Sequence, residues 1–321
     1  ATVVVANAAK MPTFTCKRKE SLFVILKDTY GIEESVAKSL TALGEATARI
    51  KTLVDTFLDH GHAGTQNASG DDQLHLDIEC DKIVFEEIKS SGMFSMAASE
   101  ETPEETPVGG GPFTVSFDPL DGSSIIDANF SIGSIFGIWH KGSFIKKTGR
   151  DQVAAAVSVY GPRTVFVIAL PPSTCFEVMV VNDEWQVSRE KIEIKEAGKV
   201  FAPGNLRASN DNEKYGALIE YWLKNRYTLR YTGGMVPDIY HIFAKSKGVF
   251  CNVSSEKAKA KLRLLYEVAP MGLVVECAGG QTMDETQPRS VLDIPLEHLD
   301  HRVGLCLGSK EEVAKFQEFL F

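Results

Sequence analysis

The sequence predicts an α/β chain folded as two subdomains, and three observations carry that expectation. Its 321 residues suffice for a large core divided between two packed units. Its first part reads as helices followed by a run of strands. Beyond Val200, helix and strand signals alternate. The seam is therefore placed there, separating 1–199 from 200–321.

Residues 1–20 show no periodicity and read as a mobile arm. Over 32–58, Val36, Leu40, Leu43, Ile50, Val54 and Phe57 recur at threes, fours and sevens, the mark of a long amphipathic helix. Residues 59–72 are small, polar and Gly-rich, an exposed loop of the kind that covers active sites. His60 and His62 in it read as solvated rather than metal-ligating. A second helix over 74–90 aligns Leu76, Ile83, Val84 and Ile88, with Asp71 before it and Asp77 in its first turn, where acid suits the helix dipole. A short strand over 94–98 ends in Glu100 and Glu101, followed by a Pro-, Gly- and acid-rich loop at 103–112. The glutamate pair reads equally as surface charge or as a site at a strand end. Strands are expected at 113–118, 131–141, 164–170, 175–181 and 184–188, with a short helical piece over 149–160. In the second part, 211–224, 269–278 and 310–320 read as helices and 227–231 and 262–266 as strands.

Composition excludes several classes. With 44% hydrophobic and 24% charged residues the chain is ordinarily globular, and a net charge of −9 argues against a general nucleic-acid binder. No apolar run approaches the roughly 18 residues of a membrane span, and residues 1–10 lack the basic start of a leader. The six cysteines are scattered and form no CxxC pair, so they read as buried, reduced thiols.

The most informative stretch is FTVSFDPLDGSS at 113–124. A β-branched, aromatic strand ends in Asp118 and Asp121, and Pro119 fixes the turn on which they emerge. Gly122, Ser123 and Ser124 then offer amides and hydroxyls to an anionic oxygen. Carboxylates beside an anion cradle call for a hard divalent cation between them, Mg²⁺ or Mn²⁺. Asp71, Asp77, Glu100, Glu101, Asp118, Asp121 and Glu267 all lie at turns or element ends. If they converge, like-charge repulsion of roughly 1 to 4 kcal/mol per close pair is relieved by bound cations. Such ions polarise a phosphoryl group, neutralise its leaving oxygen and help to generate hydroxide. Positive charge collects in the second half at Arg207, Arg226, Arg230, Lys257, Lys259, Lys261 and Arg263. In an acidic chain that clustering suggests a pocket for a second anionic group, hence a bisphosphate substrate. No Ser-His-Asp order, P-loop or GxGxxG is evident, which favours in-line attack by water.

DPLDGSS (118–124), preceded by Gly70-Asp71 with Asp77 and by Glu100-Glu101, and followed by KLRLLYE (261–267), resembles the fructose-1,6-bisphosphatase family in motif order from about residue 30 onward. Within it, 117–139, GRDQVAAA (149–156), YGPRT (160–164), PGNLRA (203–208) and YTGGMVPD (231–238) are similar to the sedoheptulose-1,7-bisphosphatase branch. The resemblance implies a layered α-β-α-β-α sandwich and a sugar bisphosphate as substrate. It implies Mg²⁺ on Glu100, Asp118, Asp121, Glu267 and the Leu120 carbonyl. Asp77 and Glu101 would accept a proton from the attacking water, and Asp71 would position metal and water. Gly122, Ser123 and Ser124 would hold the 1-phosphate; Asn205, Arg207, Arg230, Tyr231 and Lys261 would hold the sugar and the distal phosphate. It further implies a homodimer or homotetramer, with Arg230 reaching across the interface. Where fructose enzymes place a phosphate-binding tyrosine this chain has Asn252. Plastid members of the branch carry two loop cysteines where His60 and Thr65 stand here, so a cytoplasmic enzyme without disulfide control is expected.

Overall fold

The computed structural model describes residues 16–57, 62–66 and 72–321. The first helix, α1 (Cys16–Val24), replaces the last part of the expected arm. Its nine residues hold too few apolar positions for periodicity to reveal it, and beside the buried Leu22 its anchor is ionic: Arg18 is buried and its guanidinium pairs with Glu45 and, at 2.6 Å, with Asp183. The long helix α2 (Glu34–Thr56) starts where the Glu33 carboxylate accepts from the amides of Ser35 and Val36, at 2.9 and 3.2 Å. Strands β1 (His62–Gln66) and β2 (Asp72–Leu74) pair as a hairpin, so part of the expected loop is ordered strand. Helix α3 (His75–Ser91) follows.

Eight strands then form the first sheet: β3 (Phe94–Ser99), β4 (Thr106–Pro107), β5 (Phe113–Asp121), β6 (Ile132–His140), β7 (Gln152–Tyr160), β8 (Thr164–Leu170), β9 (Thr174–Val181) and β10 (Glu184–Arg189). Their order is β10-β9-β8-β7-β6-β5-β3-β4, antiparallel throughout except for the parallel pair β3 and β5. The expected helical piece at 149–160 is a 3-10 turn, Gly149–Asp151, followed by β7. Its alanines suit a helix in isolation, but β6 and β8 pair with both edges of the segment and helices pack on both of its faces, so sheet context overrides propensity.

The second sheet comprises β11 (Val200–Gly204), β12 (Thr228–Leu229), β13 (Val249–Asn252), β14 (Gln281–Asp284) and β15 (Leu305–Gly308), in the order β12-β11-β13-β15-β14. Interspersed are α4 (Glu213–Lys224), α5 (Met235–Lys245), α6 (Ala269–Cys277) and α7 (Lys310–Leu320). The expected strand at 227–231 shrinks to β12. The one at 262–266 is instead a single bridge from Arg263 to Arg302 and a π-helical turn, Leu264–Val268.

Three apolar clusters define five layers. Helices α1 to α3 cover one face of the first sheet, and α5 and α6 fill the space between the sheets. Helices α4 and α7 cover the far face of the second. The α-β-α-β-α sandwich is therefore present. Five cysteines, Cys80, Cys175, Cys251, Cys277 and Cys306, are buried and unbridged. No helix among the described residues is long and apolar enough to cross a membrane.

Candidate active site

Because β3 and β5 are parallel, with Ser99 opposite Phe117, both deliver their following residues to one edge. Glu100 and Glu101 follow β3, and the Glu100 amide donates to the Phe117 carbonyl at 3.1 Å. In a regular strand Asp118 and Asp121, three residues apart, would face opposite sides. A bulge sets Asp118 opposite Ile135 and Asp121 opposite Gly133, restoring even parity so that both carboxylates point the same way. The strand thus runs through Pro119 to Asp121 rather than stopping at the proline. Ser134 Oγ donates to the Pro119 carbonyl at 2.7 Å and pairs with the Tyr160 hydroxyl at 2.7 Å, which fixes the bulge. Gly122 turns the chain at φ +88°, a conformation that strains residues with a Cβ. The 3-10 turn Ser123–Ala128 then leaves Ser123 half-buried and Ser124 exposed beside Asp121.

Glu267 arrives from the π-helical turn. Its carboxylate accepts from the Arg263 amide at 2.6 Å, and the Ser116 hydroxyl on β5 holds the turn by donating to the Leu265 carbonyl at 3.0 Å. Carboxylate oxygens of Asp118, Asp121 and Glu267 lie within 4.8 Å of one another, and all three residues are buried.

Burial is the main force on these acids, and neighbouring charge adds to it. Asp118 and Glu267 are held well above the carboxylate range by burial and then by Glu100. Burial pushes Asp121 up to about 7, although the amides of Met235 and Val236 at the start of α5 donate to it at 3.2 and 2.7 Å. Asp77 is pushed to about 8 by burial, then by Glu101 and Glu100. Its Oδ2 accepts from the Leu74 amide at 3.2 Å, while its Oδ1 is buried without a hydrogen-bond partner. Arg263 supplies a buried positive charge, paired with Glu100 and, at 3.0 Å, with Asp300. A crowd of buried carboxylates with one orphaned oxygen fits hard divalent cations, which take oxygen ligands. Asp71 lies outside the described residues.

A separate cavity of about 310 Å³ opens at the ends of β11 and β13. Asn205, Arg207, Tyr231, Asn252, Lys257, Lys259 and Lys261 line it. Of the basic cluster, Arg226, Arg230 and Arg263 do not. Arg230 is exposed and its guanidinium donates to the Leu229 carbonyl at 2.8 Å. Asn205 adopts φ +49°, and its amide donates to the carbonyls of Val253 and Ala258, at 2.8 and 2.9 Å. It braces the cavity wall as well as lining it. Asn252 Oδ1 is buried and unpartnered.

Residues 32–188 match the domain described as "Fructose-1-6-bisphosphatase, N-terminal domain", and 194–321 match its C-terminal domain. The chain belongs to the fructose-1,6-bisphosphatase family. It is 48% identical over 306 residues to the chloroplastic sedoheptulose-1,7-bisphosphatase of Spinacia oleracea, covering 90% of this chain and 78% of that one. The class 1 fructose-1,6-bisphosphatase of Trichlorobacter lovleyi is 37% identical over 295 residues, covering 90% and 91%. A crystal structure from Toxoplasma gondii, described provisionally as a sedoheptulose-1,7 bisphosphatase, superposes with a TM-score of 0.87 at 37% identity, covering 94% and 98%. Members of this fructose-1,6-bisphosphatase family depend on metal ions, and the buried acidic cluster agrees with that.

Sequence reasoning missed the place of Arg263, assigned to the basic pocket but seated among the acids. It also missed Asp300, Ser134 and Tyr160, which no local pattern separates from ordinary polar residues.

Proposed function

We propose that the chain hydrolyses the 1-phosphate of sedoheptulose 1,7-bisphosphate to give sedoheptulose 7-phosphate and inorganic phosphate. The observation that carries this reading is the pairing of a buried carboxylate centre beside Gly122, Ser123 and Ser124 with a distinct basic cavity. The identity to sedoheptulose relatives exceeds that to fructose relatives, and Asn252 in the basic cavity occupies less space than a tyrosine, which suits a longer sugar.

In this reading Glu100, Asp118, Asp121, Glu267 and the Leu120 carbonyl hold Mg²⁺, with Mn²⁺ as a substitute. When bound, such ions polarise the phosphoryl group and offset charge on the leaving oxygen. Amides and hydroxyls of Gly122, Ser123 and Ser124 receive the phosphoryl oxygens. Asp77 and Glu101 share the water's proton, the unpartnered Asp77 Oδ1 being an available acceptor. Asp71 orients that water. The water oxygen bonds to phosphorus as the bond to the sugar C1 oxygen breaks; the leaving oxygen takes a proton from solvent, and the carboxyl pair returns the water's proton to solvent. Arg207, Tyr231, Lys261 and Asn205 bind the sugar and the distal phosphate. Arg230, which is exposed and does not line this cavity, reaches the site of a neighbouring subunit in a homodimer or homotetramer.

The two subdomains divide at 199/200 in this reading, the first bearing most of the ligands and the second the distal-phosphate cavity. The cytoplasmic assignment rests on His60 and Thr65 alone. The Spinacia, Triticum and Chlamydomonas relatives are chloroplastic by name, so a plastid fits the relatives and the cytoplasm fits those two residues.

The test is phosphate release from sedoheptulose 1,7-bisphosphate with Mg²⁺ and then with EDTA. Turnover abolished by EDTA is expected; absent or metal-independent turnover would refute the reading.

A further inference from the structure

Resting on that reading, we propose that Asp81 is a positioning residue that locks the turn bearing Glu100 and Glu101 onto the helix bearing Asp77. Asp81 lies four residues after Asp77 on α3, so the two carboxylates occupy one helical face. Both are buried, Asp77 at the acidic centre and Asp81 against the end of β3. Both Asp81 oxygens bond to hydroxyls of one turn. Oδ1 accepts from Ser99 Oγ at 2.6 Å, and Oδ2 accepts from Thr102 Oγ1 at 3.1 Å.

Those two hydroxyl residues bracket Glu100 and Glu101. Fully buried Ser99 accepts from the Thr102 amide at 2.8 Å through its hydroxyl, and its own amide donates to the Thr102 carbonyl at 3.1 Å. The Glu100 amide is fixed to Phe117 of β5. The backbone of the turn is thus held at both ends, and its position relative to Asp77 is set through Asp81. Burying a carboxylate is costly, and this one is burdened by desolvation that its hydroxyl partners only partly relieve. A stability-neutral sequence would place an apolar residue there. The geometry gives the acid a different use: aligning carboxylates from two separate elements on common ions, as outer-sphere partners do in metal sites.

The test measures Mn²⁺ binding to the whole protein by paramagnetic resonance, alongside kcat and KM for the bisphosphate. Asp81→Ala should raise the half-saturating Mn²⁺ concentration and lower kcat, each by about tenfold or more. KM should change by less than about threefold, because the basic cavity is untouched. Asp81→Asn keeps an acceptor for Ser99 and can donate to Thr102 Oγ1, so it should restore both values to within about threefold of the parent. Ser99→Ala should resemble Asp81→Ala, and the double variant should be no worse than either single one. Glu87→Gln, farther along α3 and paired with Lys19 and Arg49, loosens the same helix without touching the turn and should leave Mn²⁺ binding unchanged.

Unaltered Mn²⁺ binding in Asp81→Ala would overturn the proposal, as would an Asn variant as impaired as the Ala variant, or equal loss in Glu87→Gln. If Asp81→Ala does not fold, Ser99→Ala and Thr102→Val decide by the same readout. A parent protein that binds Mn²⁺ in this pattern yet cleaves no sugar bisphosphate would sink the functional reading and leave Asp81's role standing. A parent that binds no Mn²⁺ would overturn both.

Discussion

Stripping metal from the protein should make its stability fall as pH rises through neutrality. Asp121 and Asp77 are raised to about 7 and about 8 in the folded chain, against an unfolded value near 3.9. Between the unfolded and folded values the native state binds more protons than the unfolded one. The contribution is complete below about pH 4 and is lost as pH climbs through about 7 for Asp121 and about 8 for Asp77. Each extra proton corresponds to about 1.4 kcal/mol per pH unit, so the two together give roughly 2.7 kcal/mol per unit from pH 5 to 6.5. A chain of 321 residues unfolds with an entropy of roughly 0.7 kcal/mol per kelvin near its midpoint. These two groups alone should therefore lower the melting temperature of the metal-free protein by about 4 °C per pH unit, and Asp118 and Glu267, raised in the same direction, steepen the fall. Saturating Mg²⁺ keeps these groups ionised and removes the slope. Calorimetric melts at pH 5, 6 and 7 with and without Mg²⁺ measure it, and the stabilisation by Mg²⁺ should widen with pH. A gap between the two series that stays constant, or narrows as pH rises, would refute the electrostatic account of the centre.

Three further outcomes are expected. Glu101→Gln should lower kcat by about 10² to 10⁴ with little change in KM, checked by steady-state kinetics and direct substrate binding. Gly133 faces Asp121 across the bulge, and a Cβ there collides with the Ser158 carbonyl and with Val236, whose amide holds Asp121. Gly133→Ala should thus cost about 1 to 3 kcal/mol in denaturant melts and also weaken Mn²⁺ binding. Lys261→Ala removes a cation from the distal cavity and should raise KM by about 10- to 100-fold while kcat changes far less, from the roughly 1.5 to 3 kcal/mol of a charge-assisted hydrogen bond.

The acidic centre was legible because its chemistry is local. FTVSFDPLDGSS combines a strand, a proline and a glycine turn within a dozen residues, and Glu100-Glu101 follows directly on a short strand. What converges them is not local. The even parity of Asp118 and Asp121 depends on pairing with β6, and the approach of Glu267 depends on a π-helical turn whose sequence, LLYEV, reads equally as a strand. The buried Arg263 looked like part of the basic pocket because charge alone does not say which side of a bridge a residue faces. Alanine-rich β7 reads as helix in isolation, since only its neighbours in the sheet identify it. Helix α1 is hard to read from sequence because it is short and one of its two buried anchors, Arg18, is held by ion pairs that no apolar spacing signals. Strands β11, β13, β14 and β15 are four or five residues each, too short for periodicity to register.

The seven-carbon substrate is the central claim, and the ratio of kcat/KM for sedoheptulose 1,7-bisphosphate to that for fructose 1,6-bisphosphate, measured side by side with Mg²⁺, tests it most directly. A ratio well above one, with both activities lost in EDTA, is the expected result. A ratio at or below one would contradict it and make this member of the family a fructose or dual-specificity enzyme.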